Sequence, residues 1–165
     1  MAVLLNQTSN LRARLELLRR LSDGTRTPAS LEMKLSVDRY RKPDFVPLLE
    51  VPHATLLDMD LIQFLQWLEE LFDGRRQDAA LEASVDPAIG LRFAGGPEAY
   101  LVELGVDLLN VLESVGDMKG ERGTDLVLYR FQVNKRAALA FCNGLIEEFG
   151  EFPTDPARVD PGEAS

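Results

Sequence analysis

The chain reads as a single α+β domain, an antiparallel β-sheet of about six strands with two amphipathic helices packed on one face. Three observations predict this class. Apolar and polar residues alternate with period two in segments that recur along the chain. Two other segments, one in the middle and one near the end, carry the 3.6-residue apolar period of a helix. The links between neighbouring period-two segments are rich in Gly, Pro and Asp, so those strands are expected to pair antiparallel, with the helices covering one face as a second layer.

Taken in order, Leu11 to Leu17 reads Leu-Arg-Ala-Arg-Leu-Glu-Leu and alternates, yet Leu11, Leu15 and Leu18 also fit a helical stripe. Periodicity alone leaves strand and helix open for residues 11–21. Ser22-Asp23-Gly24 and Thr27-Pro28 form a turn-rich link to the next segment and favour a hairpin. In residues 31–37, Leu31, Met33, Leu35 and Val37 share one face while Glu32, Lys34 and Ser36 share the other, the pattern of a half-buried strand. Pro43, Pro47 and Pro52 follow, and because proline has no N–H to give a ladder, residues 45–56 are expected to form a short edge strand. The first helix comes next. Asp58 is its expected N-cap, Asp60 suits the positive end, Leu61, Phe64, Leu65, Leu68 and Phe72 form the stripe, and Gly74 ends it.

Strand character returns at Ala80. Leu81, Ala83 and Val85 alternate with Glu82 and Ser84, and Ile89, Leu91 and Phe93 follow Asp86-Pro87. Gly95-Gly96-Pro97 turns the chain into a long strand over 101–109 with Val102, Leu104, Val106 and Leu108 on one face. A loop over 116–123 leads to a strand over 126–133. Asn134 then caps a second helix with Leu139, Cys142, Ile146 and Phe149 on one face and Gly150 at its end. The domain is expected to cover residues 1–152, and 153–165, with three prolines and few apolar residues, to be a frayed tail. The sequence shows no internal repeat.

A chain of 165 residues suits one hydrophobic core. Its net charge of -9, from 27 acidic and 18 basic residues, repels phosphate backbones and anionic membranes and attracts basic partners, so neither nucleic acid nor membrane is an expected partner. Cys142 is the only cysteine, which forbids an internal disulfide and suits a reducing, cytoplasmic compartment. No apolar run is long enough to span a membrane, and Met1 to Gln7 lacks the basic start of a signal peptide.

The residues that tempt a catalytic reading are His53, Cys142, Asp58 and Asp60. His53 is the only histidine, so a two-histidine metal site is excluded; a thiol–imidazole pair with Cys142, or a cation at Asp58 and Asp60, would require these groups to converge. Each has a plainer explanation: a strand-edge histidine, a core thiol, and two acids at a helix start. Gly95-Gly96 leads into a strand, not a helix N-terminus, and cannot cradle phosphate in the usual way. No catalytic, cofactor or metal set is therefore expected; a small hydrolase or metal-dependent enzyme and a structural subunit of a larger assembly are the alternative readings.

Two features resist the plain explanation. The second helix starts with Lys135 and Arg136 and ends with Glu147, Glu148 and Glu151, and the first ends with Glu69, Glu70 and Asp73. This reverses what the helix dipole favours by about 0.3–1 kcal/mol per charge. Solvated charge is one explanation. The other is an acidic field built from both helix ends against a basic partner. Trp67 lies about 100° from the centre of the first helix's stripe, where it either borders the core or anchors a partner. Trp67, Glu69, Glu70, Asp73, Glu147, Glu148 and Glu151 are accordingly the candidate partner-binding residues.

Several stretches resemble the WapI-type immunity proteins of bacterial polymorphic toxin systems. They are Leu15-Glu16-Leu17-Leu18-Arg19-Arg20-Leu21-Ser22 leading to Leu31-Glu32-Met33-Lys34-Leu35-Ser36-Val37, the helix Phe64-Leu65-Gln66-Trp67-Leu68-Glu69-Glu70-Leu71, the later strand meander, and the closing Phe149-Gly150-Glu151-Phe152-Pro153. The resemblance spans residues 11–153 as a pattern and contains no catalytic motif. It implies a non-enzymatic cytoplasmic protein that binds and blocks a cognate toxin domain, and it supports the hairpin over 11–37. The proline-rich segment 45–52 and the loop over 117–123 depart from the pattern.

Overall fold

The computed structural model describes residues 1–21, 29–83, 89–96, 98–107 and 126–151. Strands β1 (Ala2–Leu5), β2 (Leu11–Leu21), β3 (Ser30–Arg41) and β4 (Asp44–Leu57) run into helix α1 (Asp58–Phe72). Strands β5 (Asp78–Glu82), β6 (Ile89–Gly96), β7 (Ala99–Asp107) and β8 (Leu126–Asn134) run into helix α2 (Lys135–Glu151). The class is α+β, but the described residues form two four-stranded antiparallel sheets, in the orders β1-β2-β3-β4 and β5-β6-β7-β8, where one sheet of about six was expected. The reason is that α1 carries the chain away from β4, and β5 then pairs with β6 instead. Among the described elements a four-strand meander followed by a helix thus occurs twice, a repetition of topology without repetition of sequence.

Residues 11–21 are a strand. Ala13, Leu15 and Leu17 are buried, and Leu15 lies opposite Leu35 in the β2–β3 ladder. The ladder slips between Leu17 and Arg19, leaving Leu18 as an extra residue. β4 is an edge strand as expected but is 14 residues long. Its register jumps from Pro47 to Leu49 and from Val51 to Ala54, so Leu48 and the Pro52-His53 pair are accommodated as bulges that keep the prolines from ending the strand. β1 went unread because four residues are too few to show alternation.

The core is continuous across both sheets and both helices. The Phe93 ring of β6 lies 6.2 Å from Phe64 of α1 and 5.9 Å from Phe141 of α2. α1 packs chiefly on β5 and α2 chiefly on β1, so each helix closes mainly on the sheet it does not follow. The α2–β1 seam is tight: a Cβ at Gly144 would stand 3.2 Å from the Ala2 Cα, which explains a glycine inside this helix.

The helices run antiparallel. Lys135, at the start of α2, donates from Nζ to the carbonyl of Phe72 at the end of α1 (3.2 Å). Arg20 holds Asp58 at the start of α1 (2.5 Å) and lies over the Phe149 ring near the end of α2 (5.0 Å). Gly74, at φ +74°, ends α1 in the left-handed conformation. Among the described residues no helix is long and apolar enough to cross a membrane. The turn at 22–28, the loop over 116–123 and the tail 153–165 lie outside the described residues.

Candidate docking groove

Each helix carries two adjacent stripes. On α1, Leu61, Phe64, Leu68 and Leu71 are buried in the core, while Ile62, Leu65 and Phe72 line one flank. On α2, Ala138, Phe141, Leu145 and Glu148 are buried, and Leu139, Cys142, Ile146 and Phe149 form the neighbouring flank. The stripe that the sequence points to on α2 is therefore the flank, of which only Cys142 is fully buried. The core-facing stripe holds an alanine and a glutamate, so the flank is the more apolar of the two and dominates the periodicity.

The two flanks face each other across a groove enclosing about 470 Å³. Ile146 is 51% exposed, Ile62 39% and Leu139 38%. Glu69 and Asp73 are the only charged side chains among the described residues lining it. Asp73 accepts from Arg75 at 2.9 Å, whereas Glu69 is exposed and has no ion pair among the described residues. The Cys142 thiol in this groove is pushed above its ordinary pKa, first by burial and then by the charge of Glu69.

The structure divides the candidate residues that the sequence grouped together. Glu69 and Asp73 sit on the groove. Trp67 lies on the other flank of α1, half-buried against the core, with the Arg76 guanidinium 4.6 Å above its ring, and it lines a separate cavity of about 460 Å³ with Asp78 and Glu82. Glu70 pairs with that same Arg76 at 3.7 Å. Glu147 is exposed, and the side chain of Glu151 lies outside the described residues.

Glu148 is not a surface acid. It is 7% exposed, accepts the backbone N–H of Leu17 at 3.1 Å and forms an ion pair with the Met1 amino group. β1 pairs with β2 only as far as Leu15, and the Glu148 carboxylate takes the N–H just beyond the end of that ladder. Nor do the two helix ends make one acidic field, because antiparallel helices place Glu69, Glu70 and Asp73 at one end of the helical layer and Glu147 at the other. The reversed charge at Lys135 has a structural cause: its ammonium serves the negative end of the neighbouring helix α1. Asn134 caps α2 as expected, its Oδ1 accepting from Ala137 N at 2.8 Å. Asp58, expected as the N-cap of α1, is instead its first residue, and Asp60 accepts from Leu57 N at 3.1 Å.

His53, Cys142, Asp58 and Asp60 are not brought together. His53 is exposed on β4, Cys142 lies in the helical layer, and Asp58 holds Arg20. Neither the groove, nor the cavity beside Trp67, nor a third cavity of about 390 Å³ over Gly90 and Gly105 takes in more than one of the four. Among the described residues no three His, Cys, Asp or Glu side chains are grouped closely enough to hold a metal ion.

Sequence reasoning missed Ile62 and placed Leu65 and Phe72 in the core. The signal was the breadth of the apolar arc on α1: Leu61, Ile62, Phe64, Leu65, Leu68, Leu71 and Phe72 cover more than one buried face requires. What the fold and site define is an α+β domain with an open apolar groove between two antiparallel helices. Protein families, curated proteins and solved structures offer no match to this chain.

Proposed function

We propose that the chain is a non-enzymatic protein-binding domain of immunity type, which docks a cognate basic toxin domain through the α1–α2 groove and so blocks it in the cytoplasm. The observation that carries this reading is the second apolar stripe on both helices. Ile62, Leu139 and Ile146 contribute nothing to the core that requires them to be apolar, and they stand together facing solvent. Contiguous apolar surface rimmed by polar side chains is characteristic of docking sites. Glu69 and Asp73 on its rim favour a basic partner, as does the net charge of -9. The sequence resemblance to immunity proteins supports the same role.

The test is binding and protection with the protein encoded beside this one. Ile146→Lys and Leu139→Lys replace exposed side chains and should leave the fold intact, yet each is expected to weaken the complex by about tenfold or more. Failure of the native pair to bind or protect overturns the reading; so does a complex indifferent to both substitutions.

A further inference from the structure

Resting on that docking role, we propose that the groove receives an amphipathic α-helix of the partner, with Lys or Arg along the edge that passes Glu69. The secondary structure of the occupant follows from the walls. Both are helices, whose backbone N–H and C=O groups are already bonded within each helix, so they offer an incoming chain no ladder. An extended segment pressed between Ile62, Phe72, Leu139 and Ile146 would bury its own backbone polar groups unpaired, at a cost that grows with every residue seated. A helix satisfies those groups internally and presents side chains alone. From Ile62 to Phe72 the wall runs about three helical turns, enough for apolar side chains at i, i+3 or i+4, and i+7.

The charge of the occupant follows from the rim. Glu69 lacks a cation among the described residues, Asp73 shares one with solvent, and Lys135 at the same end is turned onto the Phe72 carbonyl. The Cys142 thiol, its pKa raised first by burial, is raised further by Glu69, whose charge therefore stands beside the groove. A helix with an acidic edge would meet that field unfavourably, and one with a basic edge would relieve it.

Three labelled peptides of about 18 residues, long enough to form helix, test this by fluorescence anisotropy. One places Leu and Lys with helical period, one holds the same composition in strict period-two order, and one is the helical design with Glu in place of Lys. The helical Leu/Lys peptide is expected to bind at least about tenfold tighter than either other, and to lose about tenfold on Ile146→Lys or Leu139→Lys. Glu69→Lys is expected to reverse the preference between the Lys and Glu helices. If the period-two peptide binds equally well and both substitutions abolish it, the groove remains a docking site and the helix inference alone falls. If the Glu helix binds as tightly as the Lys helix, the charge assignment is overturned. If no peptide responds to either substitution, the inference is overturned, and the docking role then stands or falls on the natural pair.

Discussion

At the scale of single residues, neighbours in sequence separate into different roles. Glu147 is exposed, whereas Glu148 is buried with its carboxylate on the Leu17 N–H. Glu148→Ala is expected to lower the unfolding free energy by about 1–3 kcal/mol, the cost of a buried donor left unpaired, while Glu147→Ala should stay within about 0.5 kcal/mol in the same urea titration. Equal effects would mean that the buried carboxylate contributes nothing. Cys142 gives a pH signature. Its folded pKa is raised by burial and by Glu69, so its contribution to stability is complete below the ordinary thiol value of about 8.5 and is lost as pH rises through the folded value. Melting temperatures of the native protein should therefore fall more steeply above about pH 8.5 than those of Cys142→Ala, and parallel curves there would refute it.

At the scale of elements, the strands with clean alternation were legible because one face of each is buried. The apolar side chains of β3 at Leu31, Met33, Leu35 and Val37 all point into the core. Residues 11–21 stayed open between strand and helix; the turn-rich link after Leu21 favoured the strand, and β2 is one. β4 was read too short because proline was weighed as a breaker, when bulges at Leu48 and Pro52-His53 absorb it. The helices were found but their faces were not fully assigned, because a helix that is apolar on two adjacent stripes does not reveal which one meets the sheet. The acids were misjudged for a related reason. Sequence gives the position of Glu148 on α2, but only the end of β1 creates the unpaired N–H that draws it inward. Lys135 likewise makes sense only once α1 is known to end beside it. The groove was therefore half visible: Leu139, Cys142, Ile146 and Phe149 were singled out, but as core.

At the scale of the whole molecule, the repeated meander-helix topology invites the idea of two independent halves, and the packing argues against it. α1 follows the β1–β4 sheet but packs chiefly on β5, and α2 follows the β5–β8 sheet but packs chiefly on β1. Gly144 comes so close to Ala2 that even a Cβ there would stand 3.2 Å from the Ala2 Cα and press on β1, and Phe93 is shared between both helices. Each half on its own would keep a helix without its main partner and expose the apolar face that the other half covers. The chain should therefore unfold in one cooperative step. Fragments 1–77 and 78–165, made separately, are expected to show no cooperative thermal transition by circular dichroism, and to recover one when mixed in equal amounts. Gly144→Leu, which blocks the α2–β1 approach, should prevent that recovery. A fragment 1–77 that melts cooperatively alone would show instead that the first meander and α1 form a complete core, and that the exchange of helices between sheets does not hold the molecule together.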